Sequence, residues 1–256
     1  MTVLYILGAG CSKNYDQYDG PILGLRPPLN SDFFKVTKRI IDHYGLGLAS
    51  SITGLDHLIR NLNRLYGYGD SEEDTTVFDD PRLTLEAVMN YFYLEHQIFR
   101  SYDLFGNWNH RMNTLNELLA YVLAETLSGP PCRRHSRLAS IMRNGDAVWN
   151  FNYDILMDNA LYAQNKLSDS GYVMRFDYTF NAGSWEKTAH TSSDVMVFKL
   201  HGSLNWLRCR QCGYGGGPER SEKGALRPLL IPSRLSHLVR RAPVKFAYEP
   251  YDTGDR

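Results

Sequence analysis

His201 is the side chain in this sequence best suited to moving a proton. It follows the run Val195-Met196-Val197-Phe198-Lys199-Leu200 and precedes Gly202. Imidazole titrates near pH 6.5, so it exchanges protons at neutral pH, and a glycine beside it leaves room for a substrate. A structural histidine satisfied by its neighbours is the alternative. Asn152 and Asp154 form a second group, after Ala147-Val148-Trp149-Asn150-Phe151. If that strand continues through them, side chains alternating with period two put an amide and a carboxylate on one side. Asp154 is also a candidate cap for the helix that follows. The third group is Gly8-Ala9-Gly10-Cys11-Ser12, directly after Val3-Leu4-Tyr5-Ile6-Leu7. A buried parallel strand running into such a small-residue turn is the pattern of a phosphate site. Glycine there permits positive φ and close approach of a ligand to the backbone. The dinucleotide fingerprint is incomplete, because no third glycine follows and Lys13 comes next; no Walker lysine-serine pair is present either.

Three strands are thus expected to end in residues capable of chemistry, at 8–12, 152–154 and 201–203. In open α/β sheets the ligand crevice lies outside the carboxyl ends of the strands. Between strand 1 and the next strand the pattern is helical. Asn30 or Ser31 can cap a helix through Ile41, and Leu55, Leu58, Ile59, Leu62 and Leu65 mark another. Leu85–Arg100 and Met112–Leu127 carry the strongest stripes, ended by Gly129-Pro130-Pro131. A simple crossover takes roughly 15 to 30 residues, so the surplus is read as a helical insertion, 31–127, beside the cleft of a core formed by 1–30 and 128–256. The Gly- and Pro-rich stretch from Lys13 to Asn30 is expected to be a functional or mobile loop able to fold over a ligand. Asp70–Pro81 reads as an acidic surface loop. Beyond the third strand, Leu204–Arg208 and, more weakly, Ala225–Ile231 read as extended.

The 256 residues are 43% hydrophobic and 22% charged, a folded rather than a disordered composition. Twenty-eight basic residues balance 28 acidic ones, so no global charge argues for nucleic acid or an anionic membrane; Arg133-Arg134 and Arg240-Arg241 read as solvated faces. No apolar run approaches the ~18 residues of a membrane span, and the N-terminal run is too short for a signal peptide and has no basic residues before it. Four cysteines suit a reducing cytoplasm rather than a disulfide scaffold. Cys209 and Cys212 have the spacing of half a zinc site, but Cys11 and Cys132 belong to other elements and no second pair follows; no metal is expected. The other histidines lie in helices or polar loops with no Asp or Cys at metal-ligand spacing.

Taken together, Gly8-Ala9-Gly10-Cys11-Ser12, Asn152-Tyr153-Asp154, and Lys199-Leu200-His201-Gly202-Ser203-Leu204 with Cys209 and Cys212 just after resemble the Sir2 (sirtuin) family. They are most similar to the divergent SIR2-like domains of bacterial anti-phage systems. The resemblance spans positions 3 to about 213, the helical block matching only loosely. It implies a Rossmann-like parallel sheet that binds NAD as substrate and breaks the nicotinamide–ribose bond. The phosphates would lie on Gly8, Ala9, Gly10, Cys11 and Ser12. Asn152 and Asp154 would hold the nicotinamide ribose and carboxamide, with Asn152 orienting a water or hydroxyl, and His201 would be the base. Gly202 and Ser203 complete the ligand-binding strand end. The ribose would pass through an oxocarbenium-like state, as in glycoside cleavage, which calls for negative charge and fixed dipoles nearby.

Classical family deacylases carry four zinc cysteines, and only two are visible here. In the SIR2-like defence proteins water ends the reaction and NAD is destroyed, so an NAD glycohydrolase of prokaryotic antiviral defence is the expected function. An NAD-dependent protein deacylase, and a nucleotide-binding component of an assembly with little catalysis, are the alternatives. Family members add further strands, the last carrying a glycine-serine segment for the adenosine half of NAD. Nothing past Ile231 reads as one, so C-terminal strands are expected to be missing, or their role taken by a defence-system partner or a second copy of the chain.

Overall fold

The computed structural model describes residues 2–45, 52–99, 107–167, 172, 176–181, 184–187, 194–201, 203, 206–207 and 244–247. The chain divides into two compact units, one formed by Met1–Ser12 with Pro130–Arg256 and the other by Lys13–Gly129. It is an α/β fold with a short parallel sheet and a long helical insertion after the first strand.

In the first unit, β1 (Leu4–Leu7), β2 (Ala147–Asn150) and β5 (Met196–Lys199) form a parallel sheet in that order. The register sets Leu7 beside Asn150 and Asn150 beside Lys199, so the residues that follow each strand emerge at one edge. Leu7, Val148 and Val197 are buried with Ala139 and Met142 from the end of α6 (Arg133–Ile141) and with Met157, Ala160 and Leu161 of α7 (Leu156–Tyr162). The five apolar residues of strand 1 suggested burial on both sides. The structure corrects this: Leu4, Ile6, Trp149 and Met196, which alternate with the buried set, are exposed, Ile6 at 63%. The helices α6 and α7 cover one face of the sheet only. Between β2 and β5 lie β3 (Phe176–Asn181) and β4 (Ser184–Lys187), an antiparallel pair. They belong to a second sheet of order β4-β3-β7-β6, with β6 at Trp206–Leu207 and β7 at Val244–Ala247. A strand past Ile231 therefore exists, in this mixed sheet and not in the parallel one. The Ala225–Ile231 segment lies outside the described residues.

Before β2, the Asp146 carboxylate accepts hydrogen bonds from the backbone N–H of Val3 (2.8 Å) and of Arg143 (2.9 Å). It thereby pins the start of β1 to the start of β2.

The second unit contains α2 (Phe33–Tyr44), α3 (Leu55–Tyr66), α4 (Leu85–Phe99) and α5 (Asn107–Thr126). Their buried stripes hold Ile40, Leu58, Leu62, Val88, Phe92, Leu115 and Leu118, the three-and-four spacing expected of helices with one covered face. Two corrections arise here. The 70–81 stretch is not wholly a surface loop. A single 3-10 turn, Thr76–Asp79, buries Val77 and sets Phe78 5.4 Å from Phe34, because two apolar residues inside an acidic stretch find the helical core. The 13–30 segment is also built into this unit. Tyr15 and Leu25 are buried, Tyr18 and Tyr44 donate to the same Glu125 oxygen (3.2 and 2.8 Å), and the Asp19 N–H donates to the Ser128 carbonyl.

The two backbone N–H groups, Arg143 foremost, hold the Asp146 carboxyl below its ordinary range. A carboxylate depressed in the folded state contributes stability that is complete above the unfolded value of about 4 and is lost as pH falls through the depressed one. Asp146→Asn should therefore melt well below the wild-type protein at pH 7, with the gap narrowing below about pH 4. Thermal melts across that range check it; a gap independent of pH would contradict the assignment.

Candidate functional site

The site forms where β1 and β2 release the chain. Gly8 leads into one helical turn, α1 (Ala9–Lys13), whose Cys11 N–H donates to the Gly8 carbonyl at 2.9 Å. The same carbonyl accepts from Asn152 Nδ2 at 3.0 Å, and that nitrogen also donates to Ser12 Oγ at 3.0 Å. Ser12 Oγ in turn donates to Asp154 Oδ2 at 2.5 Å. Ser12, Asn152 and Asp154 are all buried. A carbonyl can only accept, so the Asn152 amide must turn its nitrogen toward Gly8, and its oxygen is left over. Asn152 Oδ1 is buried and, among the described residues, accepts no hydrogen bond, an uncommon state for a buried polar atom.

Asn152 and Asp154 do converge, although not by strand alternation, since β2 ends at Asn150. Beyond it the chain turns: Asn150 Oδ1 accepts from the Asn152 N–H at 2.9 Å, and Asp154 Oδ1 accepts from the Leu156 N–H at 3.0 Å. Asp154 therefore both anchors the first turn of α7 and grips Ser12. The glycines differ from expectation too. Neither Gly8 nor Gly10 takes a positive φ. What they supply is empty space, since a Cβ added at either position would meet nothing within 4 Å. The backbone at 8–10 is exposed, while Cys11 is half-buried against the core.

His201 follows β5 at the same edge and is exposed. Its ring lies 5.6 Å from that of Phe151 and 6.1 Å from that of Tyr153, and burial holds the Tyr153 hydroxyl above its ordinary value. Among the described residues no hydrogen bond joins His201 to Ser12, Asn152 or Asp154. Ser203 Oγ is buried with no partner among the described residues; Gly202, Cys209 and Cys212 lie outside the described residues.

Three residues of this region were not singled out by the sequence: Asn150, Asp158 and Lys199. All are buried. Their signal was a polar side chain at a strand or helix position whose neighbours at the same period are apolar, as in Val148-Trp149-Asn150 and Val197-Phe198-Lys199.

Two histidines elsewhere correct the expectation of no ligand-type neighbours. His135 Nδ1 lies 3.0 Å from Cys132 Sγ across the first turn of α6, both buried. Burial pushes the Cys132 thiol up, but hydrogen bonds from the His135 ring and from the His135 and Arg134 backbone outweigh it and hold the thiol below its ordinary value. In the helical unit, Asp56, His57 and Glu72 bring ligand atoms within 4.8 Å of one another, where Arg60 already pairs with Glu72 at 2.6 Å. Among the described residues no helix is long and apolar enough to cross a membrane.

Comparison with known proteins finds no matching family model and no matching curated sequence. The site must therefore be read from its own geometry.

Ser12 is the hinge of that geometry, because its hydroxyl accepts from one partner and donates to the other. Ser12→Ala leaves both under-satisfied and should lower stability by about 1–3 kcal/mol, read as a lower urea midpoint. An unchanged midpoint would mean that the Ser12–Asp154 bond contributes nothing.

Proposed function

We propose that the chain binds NAD at the carboxyl ends of β1, β2 and β5 and hydrolyses its nicotinamide–ribose bond. The observation that carries this reading is the buried acceptor Asn152 Oδ1, without a donor among the described residues, next to a backbone turn with room for a ligand at Gly8 and Gly10. A ribose hydroxyl is a donor of the right kind for that oxygen, and phosphate oxygens suit exposed backbone at a strand end. The motif resemblance to SIR2-like proteins of antiviral defence favours the same ligand. In the reaction, the Asp154 carboxylate supplies negative charge close to a developing oxocarbenium ion. Asn152 orients a hydroxyl or water, a matter of positioning rather than proton transfer. His201, solvent-exposed at the same edge, takes the proton.

A second reading, nucleotide binding without cleavage, is favoured by one observation. Both oxygens of Asp154 are already engaged, by Ser12 and by the Leu156 N–H, as a purely structural carboxylate would be.

Incubating the purified protein with NAD, with and without an acylated peptide, and following nicotinamide and ADP-ribose separates these readings. Hydrolysis is expected without peptide, and His201→Ala should reduce it on the order of 10² to 10⁴-fold with the melting temperature unchanged, since that ring is exposed. NAD binding without turnover would support the second reading, and strict dependence on peptide a deacylase. Near-wild-type hydrolysis by His201→Ala would remove the histidine from the mechanism. Asn152→Ala is a less clean probe than its position suggests, because it also cuts the two bonds that tie the β1 turn.

A further inference from the structure

Lys199 is the last residue of β5, and its side chain and that of Asp158 are both 0% exposed. Its ammonium donates to the backbone carbonyl of Asp154 and lies 3.4 Å from Asp158 Oδ2. The other Asp158 oxygen accepts from the Tyr172 hydroxyl. Burying an ammonium is costly unless it is paired and hydrogen-bonded, and a buried ion pair is often no more stabilising than apolar side chains of the same size. Stability is thus a weak reason for a lysine in this register position, beside Asn150 and at the end of a valine-rich face. What an apolar side chain could not do is hold a carbonyl.

We propose that Lys199 is a positioning residue. Anchored on Asp158, its ammonium fixes the Asp154 carbonyl and so fixes the turn that carries Asn152 and Asp154. The connections run in series: Tyr172 to Asp158, Asp158 to Lys199, Lys199 to Asp154, Asp154 to Ser12, Ser12 to Asn152, and Asn152 to Gly8. β5 thereby sets the geometry at the ends of β1 and β2. That this geometry serves NAD rests on the function proposed above; the positioning itself does not.

The test separates charge from position. Lys199→Met alone leaves the Asp158 carboxylate buried without a counter-charge, and should lower the melting temperature on the order of 10 °C. Lys199→Met with Asp158→Asn removes both charges, keeps an acceptor for Tyr172, and should recover most of that loss. Hydrogen–deuterium exchange of peptides covering 150–157 should nevertheless stay at least about tenfold faster in the double variant, and any NAD affinity of the wild-type protein should fall by a similar factor. Wild-type exchange in that segment, with the melting temperature restored, would overturn the proposal. If the double variant does not fold, the wild-type protein decides: the Lys199 ammonium protons must be protected from solvent and show contacts to the Ile155 amide by NMR, and rapid exchange would reject the role. A wild-type protein that ignores NAD would sink the functional reading and leave the exchange result to judge Lys199 alone.

Discussion

A carboxylate cannot stay buried without partners, and the one at Asp154 finds them beyond the end of β1 and at the start of α7. The Ser12 hydroxyl comes from the chain leaving β1, the Leu156 N–H from the start of α7. The Asp154 carbonyl is meanwhile held by Lys199 from β5. Since each unsatisfied member would cost free energy comparable to a lost hydrogen bond or more, the three strand ends are committed to one arrangement. The α1 turn, the start of α7 and the end of β5 all meet at this one residue.

That commitment separates what is fixed from what remains available. Asn152 spends its nitrogen on Gly8 and Ser12 and keeps its oxygen. Ser203 Oγ is likewise buried and unused. Next to Asn152, a Cβ added at Gly8 or Gly10 would meet nothing within 4 Å. An unused acceptor and open backbone are thus held side by side at the end of β1 and β2. On the same sheet, Leu4, Ile6, Trp149 and Met196 remain exposed opposite the α6–α7 layer.

The strand-to-turn junctions were legible in the sequence because apolar runs ended abruptly in Gly, Asn or His, a change of composition that needs no tertiary knowledge. The helices of the second unit were legible from their stripes. α6 was not: of its nine residues only His135 and Ala139 are buried, too sparse a stripe to stand out among three arginines and two serines. The Phe176/Tyr178/Phe180 alternation of β3 does carry a period-two signal, but the polar residues around it weaken that signal. Convergence of Asn152 and Asp154 was anticipated through the wrong geometry, since a turn held by Asn150 replaces the continued strand. The pairing of Lys199 with Asp158 is not legible in the sequence, because a charge in an apolar run says that a partner exists without saying where. That partner is 41 residues away in sequence.

NAD binding at the strand-end turn of the parallel sheet is the proposal on which the chemistry of His201, Asn152 and Asp154 rests. Titrating NAD into isotope-labelled protein and following backbone and side-chain amides by NMR tests it most directly. If NAD binds there, saturable shifts should concentrate at Gly8, Ala9, Gly10 and Cys11, at the Asn152 side-chain amide, and at 151–154. Shifts confined to the helical unit, or none at millimolar NAD, would contradict it.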